Sequence, residues 1–441
     1  MSLLLRRLAG ASVGRLRRPL STAASPSRPP WAMILVQTEL DRSGAPSRSA
    51  RASLDLGEPP CSSCLSVPAH FVEPGPLTDP DGDTMGVVGT VIGASGDGPL
   101  LLKFYDIRYH IPVVANVRLT LDFQLSRTPR DGYLDPDITR FVCNPLSGQM
   151  YRLPAVESTK GGTGCGLLTR SEGRHGPPDR YVVAKLTNGE AGRSVLRRFL
   201  SETEEWDDLA FVPSPERVAT GRAMHLDHDV LAFGGRLWWV DVSWGACSVD
   251  PFSDRPEERF VELPRGSVLP DLTGMAGSQI LGWYRRMGVS EGKLRYVEVS
   301  NTEKPFVVSS FSPDDEGSCW TLEHKMEITP SWPGERKVPE RPRIGAIDPL
   351  NANVLYLIFF HEILAVDMAK GEVIGRSSLE DRAVNSDSVV ACVLPPWLES
   401  CQIPSRVVLH SCPQNGATSV KPFRARRPML KGRLWQTCWF V

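Results

Sequence analysis

A chain of 441 residues, 41% hydrophobic and 23% charged, with 38 glycines and 38 prolines, has the composition of a turn-rich globular protein rather than a disordered one. It contains no run of 18 or more apolar residues, which excludes a membrane-spanning helix. The net charge of −1 conceals two basic ends: residues 1–30 carry six arginines and no acid, and from Ser400 onward there are seven Lys or Arg and no acid. Setting both ends aside leaves −14 for residues 31–399, which speaks against nucleic-acid binding by the body of the chain.

The first element, "MSLLLRRLAGASVGRLRRPLSTAASPSRPP" (residues 1–30), is Arg-rich, Ser-rich and acid-free, the composition of an import peptide that is disordered until recognised. Leu5, Leu8 and Leu16 fall broadly on one side of a helical wheel. The stretch "RRPLSTAAS" resembles the end of a plant mitochondrial presequence, with cleavage expected between Leu20 and Ala24. A chloroplast address shares this composition, and a cytosolic protein with a basic tail is the remaining alternative. A secretory signal fits poorly, because Arg6 interrupts the apolar run Leu3 to Leu5 at once.

Residues 31–65 read as a linker, since "DRSGAPSRSARASLDLGEPP" (41–60) has turn composition and no hydrophobic period. Within it, "CSSC" (Cys61 to Cys64) is a lone pair of cysteines; zinc needs a second pair, and a redox site needs a βαβ context. The ten cysteines form no framework and read as reduced, mostly buried thiols.

Residues 66–399 are expected to be all-β, because three turn-and-strand units recur along them. "GRLWWVDV" (Gly235 to Val242) matches "GKLRYVEV" (Gly292 to Val299) and, more loosely, "EILAVDM" (Glu362 to Met368). "FVCNPLSGQMYRLP" (Phe141 to Pro154) matches "SVDPFSDRPEERFVELP" (Ser248 to Pro264), and "IDPLNANVLYLIF" (Ile347 to Phe359) starts the same way. In these, Asn or Asp before proline opens the turn. "LRRFLSETEEWDDLAF" (Leu196 to Phe211) matches "VVSSFSPDDEGSCWTLEH" (Val307 to His324). Hairpins in series, about 40–50 residues apart, point to a β-propeller of six or seven blades, with a pair of β-sandwiches as the alternative.

Four local motifs carry residue types that chemistry uses. "KGGTGCG" (Lys160 to Gly166) lacks the order of a phosphate-binding loop and reads as a connector. "HLDHD" (His225 to Asp229) offers two imidazoles, but residues three apart on a strand face opposite ways and the ligand set is incomplete. "GVSEG" (Gly288 to Gly292) has the spacing of a nucleophile elbow at Ser290, yet a strand follows it where a helix is needed, so a hairpin turn is expected. The run Arg424, Arg426, Arg427, Lys431, Arg433 reads as part of a solvated, irregular basic tail over residues 400–441.

The tryptophans of "AFGGRLWWVDVSWGACSVDPF" (Ala232 to Phe252) are read through the repeat. Strand alternation puts Trp238 with Val240 on one face and Trp239 on the other, Trp239 being assigned to packing. The double glycine is read as a turn and Asp241 as a structural acceptor. Trp238, Trp244, His225 and His228 are the candidates for an interaction surface. No catalytic residue, metal ligand set or cofactor is assigned.

The segment "WWVDVSWGACSVDPFSDRPEERFVELPRGSVLPDL" (Trp238 to Leu272), with "YRRMGVSEGKLRYVEVS" and "WTLEHKMEI" after it, resembles a plant family abundant in grasses and known as domain of unknown function 1618, over about residues 238–380. Upstream, "DGYLDPDITRFVCNPLSGQMYRLP" and "YVVAKL" look like the leading half of such proteins, which are similar to F-box-associated and kelch-like propellers. The resemblance implies fold and lineage and carries no activity or catalytic residue. An F-box helix is not seen in residues 31–65. The expectation is therefore a non-enzymatic propeller that binds a protein or peptide inside an organelle. A hydrolase-type enzyme with a central-channel site and a ubiquitin-ligase adaptor lacking an F-box are the alternatives.

Overall fold

Short runs of β-branched and aromatic residues, cut at intervals by Gly, Pro, Asn and Asp, fold into strands joined by tight turns. The computed structural model describes residues 28–43, 50–72, 84–109, 138–155, 164–173, 176–189, 192–226, 229–271, 280–301, 305–314, 319–328, 341–359, 361–379 and 388–405. Among these, helix is confined to single turns at Ala69–Phe71, Pro215–Ala219 and Leu281–Tyr284.

The first strands are β1 (Trp31–Leu35), β2 (Glu39–Asp41), β3 (Ser53–Asp55) and β4 (Ser62–Pro68). Five four-stranded antiparallel blades then follow in series, each with sequence neighbours as sheet neighbours. Blade one holds β5 (Thr84–Ala94), β6 (Leu100–Tyr109), β7 (Ile138–Cys143) and β8 (Met150–Arg152). Blade two holds β9 (Cys165–Arg170), β10 (Arg180–Asn188), β11 (Ser194–Leu200) and β12 (Glu205–Phe211). Blade three holds β13 (Asp229–Phe233), β14 (Arg236–Asp241), β15 (Gly245–Val249) and β16 (Arg259–Glu262). Blade four holds β17 (Arg285–Ser290), β18 (Lys293–Val299), β19 (Phe306–Pro313) and β20 (Trp320–Ile328). Blade five holds β21 (Arg343–Ile347), β22 (Val354–Phe359), β23 (Glu362–Asp367) and β24 (Glu372–Ser378), and β25 (Val389–Val393) comes last.

The first strand of each blade lies against the first strand of the next, β5 on β9, β9 on β13, β13 on β17 and β17 on β21. β21 then lies against β25, and β25 against β5. The circle is closed, and the molecule is a β-propeller. Six or seven regular blades were expected; five are present among the described residues, and a composite sheet from both ends of the chain completes the ring.

In that composite sheet β25 is innermost and pairs antiparallel with β1 from Trp31↔Val393 to Leu35↔Val389. β1 pairs parallel with β4, which carries β3 on its other edge. The sequence WAMIL is buried throughout because its two faces enter different cores. Trp31, Met33 and Leu35 pack towards blade five, while Ala32 and Ile34 pack towards blade one. Residues 31–65 are thus no linker: β1 to β3 and the start of β4 build the closing sheet. The linker reading fails because β2 and β3 are only three residues long and carry no period. Past β25 the chain stays docked, with Asn144 donating to the carbonyls of Leu398 (2.7 Å) and Cys401 (2.9 Å) and Ile403 buried beside blade one. Among the described residues the packed body already begins at residue 31 and still extends to residue 405, beyond the expected bounds of 66 and 399. The proposed transit peptide, apart from residues 28–30, and the tail beyond residue 405 lie outside the described residues.

Each pair of neighbouring sheets shares one apolar core, so a strand's alternate residues serve alternate seams. Trp238 and Val240 face blade four, whereas Leu237 and Trp239 face blade two. The sequence repeats acquire a physical meaning here. Both "NP/DP…LP" units are the third and fourth strands of blades one and three, and both "F…W" units are the third and fourth strands of blades two and four. The two kinds meet across a seam. Trp206 Nε1 donates to the Pro154 carbonyl (3.1 Å), and Trp320 Nε1 donates to the Glu262 carbonyl (2.7 Å). The looser matches were one step out of phase: "EILAVDM" is a third strand, not a second, and "IDPLNANVLYLIF" joins a first strand to a second.

Candidate functional site

The ring surrounds a central cavity of about 410 Å³. Its lining comes chiefly from the innermost strands and mixes apolar residues, Val230, Val289 and Val390 among them, with polar ones. Among the described residues, the charged ones that line it are Asp229, Arg285, Arg286 and Arg343, all at or beside the start of an inner strand. A protein whose body is acidic thus places three cations and one acid at one mouth of its channel.

Alternation along β17 sends the two adjacent arginines different ways. Arg285 turns into the seam with blade three, donating to the carbonyls of Val242 (3.1 Å) and Ser267 (2.6 Å) and pairing with Glu298 at 3.4 Å. Arg286 reaches the channel, where it donates to the carbonyls of Gly345 and Val389, the latter at 3.3 Å, and lies 3.6 Å from the Asp229 carboxylate. One side chain thereby touches β13, β21 and β25. Arg343 lies over the Trp283 indole, 5.4 Å from its centre. On the opposite side of the cavity, Ser95 follows β5; it is 3% exposed, and its hydroxyl has no hydrogen-bond partner among the described residues.

The residues singled out in the sequence lie elsewhere. Trp238 is 8% exposed and donates to the Phe233 carbonyl (3.2 Å) within the seam between blades three and four. Trp244, 2% exposed, packs on Phe260 with ring centres 4.7 Å apart, under the Arg222 guanidinium at 5.2 Å. The two rings occupy opposite faces of blade three and form no platform. Trp239 is wholly buried and donates to the Gly164 carbonyl (2.7 Å). The His225 amide donates to Asp241 (2.9 Å), whose other oxygen accepts from the Ser243 amide (2.9 Å) and hydroxyl (2.6 Å). Asp241 is therefore the structural acceptor expected of it. His228 lies outside the described residues.

Gly234 and Gly235 form the two-residue turn between β13 and β14, with φ of 59° and 71°, a conformation open to glycine and strained for most other residues. Ser290 sits at a hairpin turn, as its context indicated. It is fully buried and donates to the Asp348 carbonyl (2.5 Å). Cys61 is exposed and Cys64 is buried. Among the described residues no group of three His, Cys, Asp or Glu stands in metal-binding proximity. Burial raises the pKa of Cys143 to about 12, and it raises those of Tyr181, Cys247 and Cys392 strongly; all of these belong to seams rather than to the channel. The channel arginines escaped the sequence reading because nothing local marks an inner strand. The only signal was the polar pair in "YRRM" at a point where a buried strand begins.

Comparison with known proteins agrees with the local pattern. Residues 239–356 match a family described as Protein of unknown function (DUF1618). The match runs from β14 to β22, just over two blades. No curated protein matches the chain. Among solved structures, a protein assigned as a 6-phosphogluconolactonase from Bacteroides fragilis is similar at 11% identity, over 72% of this chain and 86% of that one, with a TM-score of 0.28. The β-propeller domain of Cps50 (Swd1) from Myceliophteria thermophila is similar at 11% identity, over 66% and 82%, with a TM-score of 0.29. The WD40 domain of SCAP from fission yeast is similar at 9% identity, over 69% and 67%, with a TM-score of 0.25. At such scores the fold rests on the sheet topology, not on the likeness. No helix among the described residues is long and apolar enough to cross a membrane.

Proposed function

We propose that this protein is a non-enzymatic β-propeller interaction module that presents its blade loops to a protein or peptide partner, after import into a mitochondrion directed by residues 1–30. The observation that carries the reading is the closed ring. Six sheets closed into a ring through shared apolar seams fix the strand ends from which the connections leave, and a rigid scaffold lowers the entropic cost of binding. The titratable groups most displaced by burial sit in seams, where they pack, and this also favours binding over acid–base chemistry. The acid-free, Arg-rich residues 1–30 support the import step.

Affinity capture with the full chain from purified mitochondria is expected to return the same partner in independent preparations. Failure to do so counts against the interaction reading. A fusion of residues 1–40 to a fluorescent protein is expected in mitochondria; cytosolic or plastid fluorescence overturns that part alone.

A further inference from the structure

We infer that the outer edge of blade five is a docking surface for a second copy of this chain, joined antiparallel through β24 of each. The inference stands on a blade edge and not on the loop face or on import, so it and the interaction reading fail separately. Three observations converge.

First, β24 is a seven-residue outer strand whose far edge meets no other strand among the described residues. Such an edge is a template for another chain unless it is short, charged or covered. The outer strands of blades one and three have only three and four residues. Those of blades two and four expose charge along their length, including Asp207, Asp208, Glu323 and Glu327. Blade five instead exposes Val373 and Ile374, at 47% and 55%, in the middle of its edge.

Second, that exposure is built in by a bulge. The register passes from Ala365↔Gly375 to Val366↔Val373, so Ile374 stands opposite no residue of β23. Two adjacent aliphatic side chains are thereby exposed, where a regular strand would turn one of them inward.

Third, the edge is complementary to itself. Glu372 and Arg376 are exposed, and neither is ion-paired among the described residues, whereas the neighbouring Lys370 is taken up by Asp367 at 2.8 Å. A two-fold axis at Ile374 sets this residue against its own copy and brings Glu372 opposite Arg376 of the second copy, twice over. It also sets Val373 opposite Gly375, where there is no side chain to displace. A Cβ at Gly375 would lie 3.3 Å from the Pro60 ring, so the incoming valine meets an apolar neighbour. Centring the pair on Glu372 or on Arg376 would oppose like charges, and the charges therefore select the register.

A single pair of short strands is a small interface, so a dissociation constant on the order of 10–100 µM is expected. Sedimentation equilibrium of the full chain over about 5–300 µM should pass from monomer to dimer if the constant lies in that range. Ile374→Lys is expected to weaken association about tenfold or more, and Glu372→Arg, which opposes two cations, by a similar factor. Adding Arg376→Glu to Glu372→Arg reverses both charges, and is expected to return association to within about threefold of wild type. All three positions are exposed, so each variant is expected to retain the wild-type circular dichroism spectrum. A wild-type chain that stays monomeric throughout, assembly beyond a dimer, a dimer indifferent to Ile374→Lys, or a charge reversal that fails to restore association would overturn the inference.

Discussion

The seam between blades one and two and the seam between blades three and four are built alike, whereas the seam between them is not. In blade two, Tyr181, Phe199 and Trp206 form a chain of rings 6.1 and 5.6 Å apart, and in blade four Tyr296 stands between Phe311, at 6.1 Å, and Trp320, at 6.3 Å. Each chain lies against a buried leucine of a Leu-Pro pair, Leu153 or Leu263, and ends in a tryptophan that donates to a carbonyl at the close of the preceding blade. The seam between blades two and three instead places Trp239, Trp244 and Phe260 beside polar clamps. There Arg198, 3% exposed, donates to Asp207 in its own blade and to Asp254 and the carbonyls of Pro251 and Ser253 across the seam. Arg217 pairs with the buried Glu258 at 2.9 Å. The unit that recurs in this chain is thus a pair of blades rather than a blade. That explains why the Leu-Pro units and the Phe…Trp units each recur two blades apart, although "GRLWWVDV" and "GKLRYVEV" are second strands of adjacent blades.

The sharpest way to break the comparison is at the odd seam. Trp239 is fully enclosed, and its indole holds the carbonyl that precedes β9, so Trp239→Ala removes both a large ring and a cross-blade hydrogen bond. A loss of about 3–5 kcal/mol is expected in urea denaturation, enough to unfold a marginal domain. The paired seams come next. Trp206 and Trp320 are half-buried, so each Trp→Ala change is expected to lose about 2–3 kcal/mol, and the two losses should be similar. They lie in separate seams, and the double variant should show near-additive destabilisation. Unequal losses, differing by more than about 1 kcal/mol, would mean that the two seams are alike only in outline.

A smaller effect is expected at the clamp. Arg198→Ala loses several hydrogen bonds, but its partner Asp254 is 90% exposed and turns readily to water. A destabilisation of about 1–2 kcal/mol follows, read as a shift in the urea midpoint. A loss as large as that of Trp239→Ala would make the polar clamp, rather than the indole, the chief tie of the odd seam.

Much of this arrangement was legible in the sequence where the physics is local. The glycine pair before "RLWWVDV" needs positive φ twice, Asp241 caps its own turn, and the alternation of Trp238 with Trp239 assigns opposite faces; each follows from neighbours in the chain. What escaped the reading depends on partners far away. WAMIL is five residues that meet β4 at only two positions and find their full-length partner in β25, more than 350 residues later, so its role as the closing strand has no local signature. Arg286 likewise looks like surface charge beside Arg285 until the ring brings β13, β21 and β25 to it. Trp244, a candidate for the surface in the sequence, is enclosed by the facing blade.

The smallest effect concerns charge on the outer edge of blade two, where the paired-blade comparison can be sharpened by pH. Arg197 donates to both oxygens of Asp208, at 2.7 and 2.6 Å, and these hydrogen bonds hold the carboxyl below the usual aspartate value of about 3.9 against a lesser opposing effect of burial. A carboxyl whose pKa is lower in the folded state stabilises the fold above its unfolded pKa, and that contribution fades as pH falls through the lowered value. The pair is exposed, so Asp208→Asn is expected to cost under about 1 kcal/mol at pH 7. Urea midpoints of the two proteins at pH 7, 5 and 3 should therefore converge as the acid titrates. A difference that stays constant with pH would assign the loss to the geometry of the β11–β12 edge rather than to the charge, and would leave the packing of the rings as what distinguishes one seam from another.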